Sequence, residues 1–317
     1  MRLIEKRLRQ LVTGALALLT AFGLNSGKAW AQEDIQFPVT PSVLVDGVFE
    51  RCEGIAFNGE GRLFVAGNSR LWHVSTEGET TEIVQLYSNL GLAPIGDRDI
   101  LMADFGPTNR FSDGPNADGI VWRITPEGDT TRVVDGGFGD PNFVLVRSDG
   151  AILVTDDATD EILLVLPDGR MGVISDAVGH PNGIALSADE STLYVAQIFK
   201  STRPIVADGR VWSLPLTNGM PSGPPEVLAD LGDDAANDGL AMDELGRIYV
   251  AANGAGEIWR IDPNTRETVL VAEHMPGAAS IAFGQGEFDH HSIYVTSTQT
   301  GKVWEVNVGV RGAPLHR

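Results

Sequence analysis

One short unit returns six times along the 317 residues: an apolar strand opened by a polar or small residue, a turn carrying Asp, Glu or Gly, a second apolar strand, and a third ending on a bulky side chain. It is clearest in "EGIAFNGEGRLFVAGNSRLWHV" at 53–74, "NGIALSADESTLYVAQ" at 182–197 and "DGLAMDELGRIYVAAN" at 238–253. The copies begin near Glu53, Leu90, Asn142, Asn182, Asp238 and Ala279. Helical periodicity is scarce after residue 40, so the chain reads as all-β. A repeat of about 40 residues with three or four short strands cannot bury its apolar faces alone, and six of them predict a six-bladed β-propeller over residues 32–317. Tryptophan supports the count: Trp72, Trp122, Trp212, Trp259 and Trp304 each fall in the third strand of a different copy, and Leu163 takes that place in the remaining one. These side chains are read as packing between sheets rather than as a ligand stack. The last copy has only three clear strands, and "SVLVDGV" at 42–48 lies outside the repeat, so this N-terminal strand is predicted to supply the fourth and close the ring.

In an antiparallel meander the start of the first strand and the end of the second lie at one end of the sheet. Six such starts converge on the propeller axis, and four of them, Glu53, Asn142, Asn182 and Asp238, carry an oxygen donor. Two carboxylates and two amides with no Cys or His make a hard oxygen site, which suits Ca²⁺ best, Mg²⁺ or Mn²⁺ less well, and Zn²⁺ least. Asn-Gly and Asp-Gly are also turn formers, but Glu53 is not. The ends of the second strands add Asn68, Asp104, Asp157, Gln197, Asn253 and Thr298 to the same face, and Asn142, Asp104 and Asp157 are read as substrate-binding.

Glu53-Gly54, Pro141-Asn142, Pro181-Asn182-Gly183-Ile184-Ala185 and Asp238-Gly239-Leu240-Ala241, in this order and one per copy, resemble the senescence marker protein, gluconolactonase and luciferin-regenerating enzyme family. The resemblance extends over nearly the whole chain after residue 31. It implies a six-bladed propeller with a divalent ion in its central channel, Glu53, Asn182 and Asp238 as metal ligands, and Asn142 as a ligand or substrate-orienting group. Where the gluconolactonase branch has Arg-Pro-Asn-Asp, this chain has Asp140-Pro141-Asn142-Phe143, which replaces a cationic handle for a sugar acid with a carboxylate.

The expected activity is metal-dependent hydrolysis of a lactone or related ester, with Asp238 activating water or attacking directly and His180, two residues before Asn182, as a second candidate base. The alternative is a non-catalytic binding propeller with a structural calcium ion. His274, five residues before Ala279, is a weaker candidate of the same kind, and His290 and His291 are read as surface residues. Two insertions, 105–117 and 198–207, follow second strands and are expected to shape the substrate pocket, with Arg110, Lys200 and Arg203 as contacts to an anionic group. No phosphate-binding glycine loop or serine nucleophile elbow is present in the sequence.

Arg2, Lys6, Arg7 and Arg9 precede an apolar run from Leu11 to Leu24, and Ala29-Trp30-Ala31 fits a cleavage site, so residues 1–31 are read as a cleavable signal peptide of a periplasmic or secreted protein. Their removal takes away five of 23 basic and one of 43 acidic residues and leaves a formal charge of −24. Such a surface disfavours nucleic acid and anionic lipid. No membrane span or obligate protein partner is expected, and the partner is a small-molecule substrate. The single cysteine, Cys52, cannot form an intrachain disulfide and is read as a small buried residue.

Overall fold

The computed structural model describes residues 35–108, 117–134 and 136–316. The signal-peptide reading and Arg110 lie outside them. Six small antiparallel sheets form a ring, and among the described residues no helix occurs. The innermost strands are Cys52–Phe57, Leu92–Ile95, Pro141–Val146, Pro181–Leu186, Asn237–Met242 and Ala278–Phe283. Each touches the next, and the last touches the first, so the ring is closed. Each sheet then runs outward in chain order, as predicted. In blade 6 the outermost strand is Ser42–Val45, antiparallel to Val303–Asn307, with Ser42 opposite Glu305. That pairing joins the two ends of the propeller and removes the edge that an open array would leave.

Packing follows the alternation of each inner strand. Two residues after each slot stands a large aliphatic side chain, Ile55, Leu92, Val144, Ile184, Leu240 or Ile281, packed against the preceding blade. One residue later stands Ala56, Ala93, Leu145, Ala185, Ala241 or Ala282, at the opposite face of the strand. Large facing small lets converging sheets interdigitate near the axis. The five tryptophans occupy third strands: Arg70–Val74, Ile120–Ile124, Arg210–Thr217, Glu257–Ile261 and Val303–Asn307. Leu163 takes the same position in Glu161–Val165.

The insertion after residue 197 forms a hairpin, Phe199–Thr202 with Ile205–Ala207, on the slot face. No helix among the described residues is long and apolar enough to cross a membrane.

Candidate functional site

Five of the six inner strands open on a bulge. In blade 1 Cys52 pairs with Gly67 and Ile55 with Val65, which leaves Glu53-Gly54 opposite Ala66 alone. The same irregularity sets Asn142 apart in blade 3, Asn182-Gly183 in blade 4, Asp238-Gly239 in blade 5 and Ala279-Ser280 in blade 6. An extra residue bends the strand and re-aims its side chain, which is how a polar group comes to stand at the mouth of an otherwise apolar strand.

The backbone joins these slots into a ring. A Cβ added to Gly54 would lie 2.0 Å from the Leu90 carbonyl oxygen, one on Gly91 2.8 Å from that of Asn142, one on Gly183 2.3 Å from that of Asp238, and one on Gly239 2.7 Å from that of Ala279. Glycine follows the slot in these four blades because the next slot's backbone occupies the space of a side chain. The other two blades have Phe143 and Ser280 instead, and there a threonine hydroxyl makes the connection. Phe143 N donates to Thr155 Oγ1 at 3.1 Å, and Thr155 Oγ1 donates to Asn182 O at 2.9 Å. Ser280 N donates to Thr296 Oγ1, which donates in turn to Glu53 O. The six slots are therefore consecutive neighbours around the axis.

Two of the slot side chains end in oxygen atoms that nothing among the described residues satisfies. Asn182 is 1% exposed and its Oδ1 has no hydrogen-bond partner. Asp238 is 3% exposed; its Oδ2 accepts from Asn253 Nδ2 at 3.0 Å, while its buried Oδ1 has no partner. Leaving such groups unpaired costs about 1–3 kcal/mol each, more for a charge, so a ligand is the natural complement. Asn142 donates its amide nitrogen to Asp157 Oδ2 at 2.7 Å, which keeps its carbonyl oxygen for another partner.

Electrostatics point the same way. Burial, then the charges of Asp238 and Asp157, hold the Glu53 carboxyl well above the usual range, with Arg51 opposing. Burial pushes Asp238 up to about 7 against the Asn253 hydrogen bond. Asp157 is pushed up to about 8, again mainly by burial, against the hydrogen bond from Asn142. Three buried acids with raised proton affinity, two of them adding to that of Glu53, take either protons or a cation. Among the described residues no three of His, Cys, Asp and Glu are grouped so as to hold a metal by themselves. A cation here would need the amide oxygens of Asn182 and Asn142 beside the carboxylates of Glu53 and Asp238. That mixed oxygen set fits a hard divalent ion.

Other expected residues are placed differently. Asp104 does not offer itself to substrate: Oδ1 accepts from Ser88 Oγ and Gly106 N, and Oδ2 from Tyr87 N and Trp122 Nε1, which fills the acceptor capacity of a carboxylate. Gln197 is likewise engaged by Trp212 Nε1 and Phe199 O, and Asn68 by Glu50 N and Val48 O. Of the second-strand ends, Asp157 and Asn253 bond slot side chains directly, and Thr298 acts through Asn253. Asn253 was legible as a polar residue on this face, but not as the clamp on Asp238. His180 lies with its Nδ1 3.0 Å from Asp160 Oδ1 and its ring edge-on to Phe199 of the hairpin. Lys200 pairs with Asp233. Asp140 is fully buried. His274 and His291 are exposed, and His290 Nε2 lies 2.9 Å from Gly286 O. Burial pushes the Cys52 thiol up to about 12, which leaves it inert.

A family model, the SMP-30/Gluconolactonase/LRE-like region, matches residues 154–299, which include Asp157, Asn182 and Asp238. A gluconolactonase of Zymomonas mobilis is 29% identical over 147 residues, 39% of this chain and 40% of that protein. Regucalcin of Xenopus laevis is 25% identical over 197 residues, 62% of this chain and 56% of that protein. The chain thus spans about half the length of the curated relatives it matches. A crystal structure of a calcium-binding protein, regucalcin of Agrobacterium tumefaciens, has the same fold, with a TM-score of 0.69 at 21% identity, covering 88% of this chain and 97% of the other. Residues 154–299 accordingly resemble the SMP-30/gluconolactonase/LRE-like region, and the rest of the described chain shares the fold of proteins that bear those names.

Proposed function

We propose that the protein is a metal-dependent hydrolase that opens a lactone or a related ester at the slot ring. The observation that carries this reading is the pair of buried, unpartnered oxygens on adjacent slots, Asn182 Oδ1 and Asp238 Oδ1. Glu53, Asn142, Asn182 and Asp238 would hold the ion, with Ca²⁺ the best match to an all-oxygen set. When bound, such an ion polarises the ester carbonyl and stabilises negative charge developing on its oxygen.

The chain's own residues supply the rest. Asn253, tied to Thr298 Oγ1 at 3.0 Å, fixes one oxygen of Asp238 and so orients the other. With Oδ1 turned to the ion, Oδ2 keeps a lone pair beside the Asn253 hydrogen bond and receives a proton as water adds to the carbonyl carbon; the ring C–O bond breaks, and the proton passes to the departing alkoxide, giving a hydroxy acid. Asn142, held by Asp157, orients the substrate. The hairpin at 199–207 forms one wall of the approach. His180 is oriented by Asp160 and takes the place of a second base. The relatives' names support a lactone as the substrate class, and the calcium-binding description of the solved regucalcin supports the ion.

The test is hydrolysis of a panel of lactones and aryl esters by chelated protein, refilled with Ca²⁺, Mg²⁺, Mn²⁺ or Zn²⁺, beside Asp238→Asn. Activity should return with an ion and fall by about 10²–10⁴ in the variant. Activity indifferent to chelation would refute the reading. A cation that raises the melting temperature while every substrate stays intact would favour the binding propeller. We further propose that residues 1–31 direct export, so that protein recovered from the periplasm or medium should begin at Gln32.

A further inference from the structure

We propose that the axial cavity on the face away from the slot ring is a second ligand site, which takes a small neutral apolar molecule and is covered by the segment Gly312–His316. The cavity has a volume of about 230 Å³. All six inner strands wall it, through Ala56, Ala93, Leu145, Ala185, Ala241 and Ala282 among others, and none of the slot residues does. It exceeds the roughly 150 Å³ of an aliphatic cavity known to stay dry and bind benzene or xenon.

Its chemistry selects the ligand. Among the described residues no Asp, Glu, Lys or Arg lines it, and the polar side chains are Gln285 and His316. Water needs two to four polar partners to reside in such a space, and a charged ligand would lose its hydration without a counter-charge. A neutral aromatic or aliphatic molecule somewhat larger than benzene loses nothing on entry and gains contact with the wall.

The cover is built rather than incidental. Glu244 N donates to Arg311 O and Ala313 N to Met242 O, both at 2.9 Å, so residues 311–313 are pinned to the turn after the blade 5 inner strand. Gly312 passes so close to Phe283 that an added Cβ would lie 2.4 Å from the Phe283 Cβ. Residues 313–316 then line the cavity. Beyond Ala313 the segment is held by a contact at the rim, His316 Nε2 to Glu190 Oε1 at 3.5 Å, and Leu315 is 40% exposed. Such an arrangement pivots about 311–313, and ligand passes when 314–316 lift.

This proposal does not depend on the lactonase reading. The probe is benzene, with benzoate as the charged control, read as the melting temperature of the full chain. Benzene at ten times its Kd should raise it by about 3 °C, and benzoate should not. Leu145→Phe and Ala241→Leu each narrow the cavity and should abolish the rise. Should neither variant fold, crystals of the parent under xenon must show the gas in the cavity. No rise with benzene, an equal rise in the narrowed variants, or an empty cavity under xenon would overturn the site. His316→Ala should speed benzene uptake several-fold, and an unchanged rate would overturn the role of the cover.

Discussion

Blades 1, 2, 4 and 5 and blades 3 and 6 solve one problem in two ways. Each must bring its slot against the backbone of the next, close to the axis where there is least room. The first group removes a side chain, placing Gly54, Gly91, Gly183 or Gly239 against a carbonyl. The second keeps Phe143 or Ser280 and inserts a threonine hydroxyl that accepts from one blade and donates to the next. The second strand registers the choice: opposite the slot stand Ala66, Ala103, Ala196 and Ala251 in the glycine blades, but Thr155 and Thr296 in the other two. A steric solution and a hydrogen-bonded one thus serve the same junction in different blades.

The glycine junctions are the more sensitive of the two kinds to a single substitution. Gly183→Ala places a methyl group 2.3 Å from Asp238 O and 2.6 Å from Leu240 N, backbone atoms that cannot swing aside. Denaturant melts should show a loss of about 3 kcal/mol and a weakened response to divalent cations, because the Asp238 slot moves. A smaller effect tests the acids that the ring encloses. Asp157 has a proton affinity raised by burial, so in chelated protein the native state binds more protons than the unfolded one between pH 4 and pH 8. Stability contributed by this group is highest below pH 4, falls as pH rises through that window, and is level above it. Asp157→Asn should therefore match the parent near pH 4 and exceed it at pH 8, on the order of 2 kcal/mol, in thermal melts without cation. The smallest change sharpens the comparison: Thr155→Ala should cost about 1 kcal/mol, and adding Phe143→Gly should recover part of it by converting the junction to the glycine kind. If the double variant is no better than the sum of the singles, the two junctions are not equivalent.

Much of the propeller was legible because repetition is. Six tokens of one pattern, five tryptophans in phase and a lone strand at 42–48 settle a blade count that no single strand could. The slots were legible for the same reason: Glu53 is out of place in its own strand, and in place once six strands are aligned. What could not be read was which polar residues on that face are already engaged. Asp104 and Gln197 accept from Trp122 and Trp212, a contact that depends on how a third strand lies over a second. Asn253 bonds Asp238, and from spacing alone it was indistinguishable from Asn68, which bonds the connection before blade 1. The threonine junctions were present in the sequence as Ala or Thr opposite Gly or not-Gly. Seeing them required the register, because a bulge hides which residue faces which.

Under the proposed function, the unpaired oxygens of Asn182 and Asp238 are there to take a cation. The most direct measurement is a Ca²⁺ titration at pH 8 of chelated parent and chelated Asn182→Leu, read as melting temperature. Asn182→Leu removes a buried acceptor that the protein leaves unsatisfied, so the variant without cation should be at least as stable as the parent. Calcium should then raise the parent well above the variant, which should gain little. A parent indifferent to Ca²⁺, Mg²⁺, Mn²⁺ and Zn²⁺, or a variant that gains as much as the parent, would contradict the account.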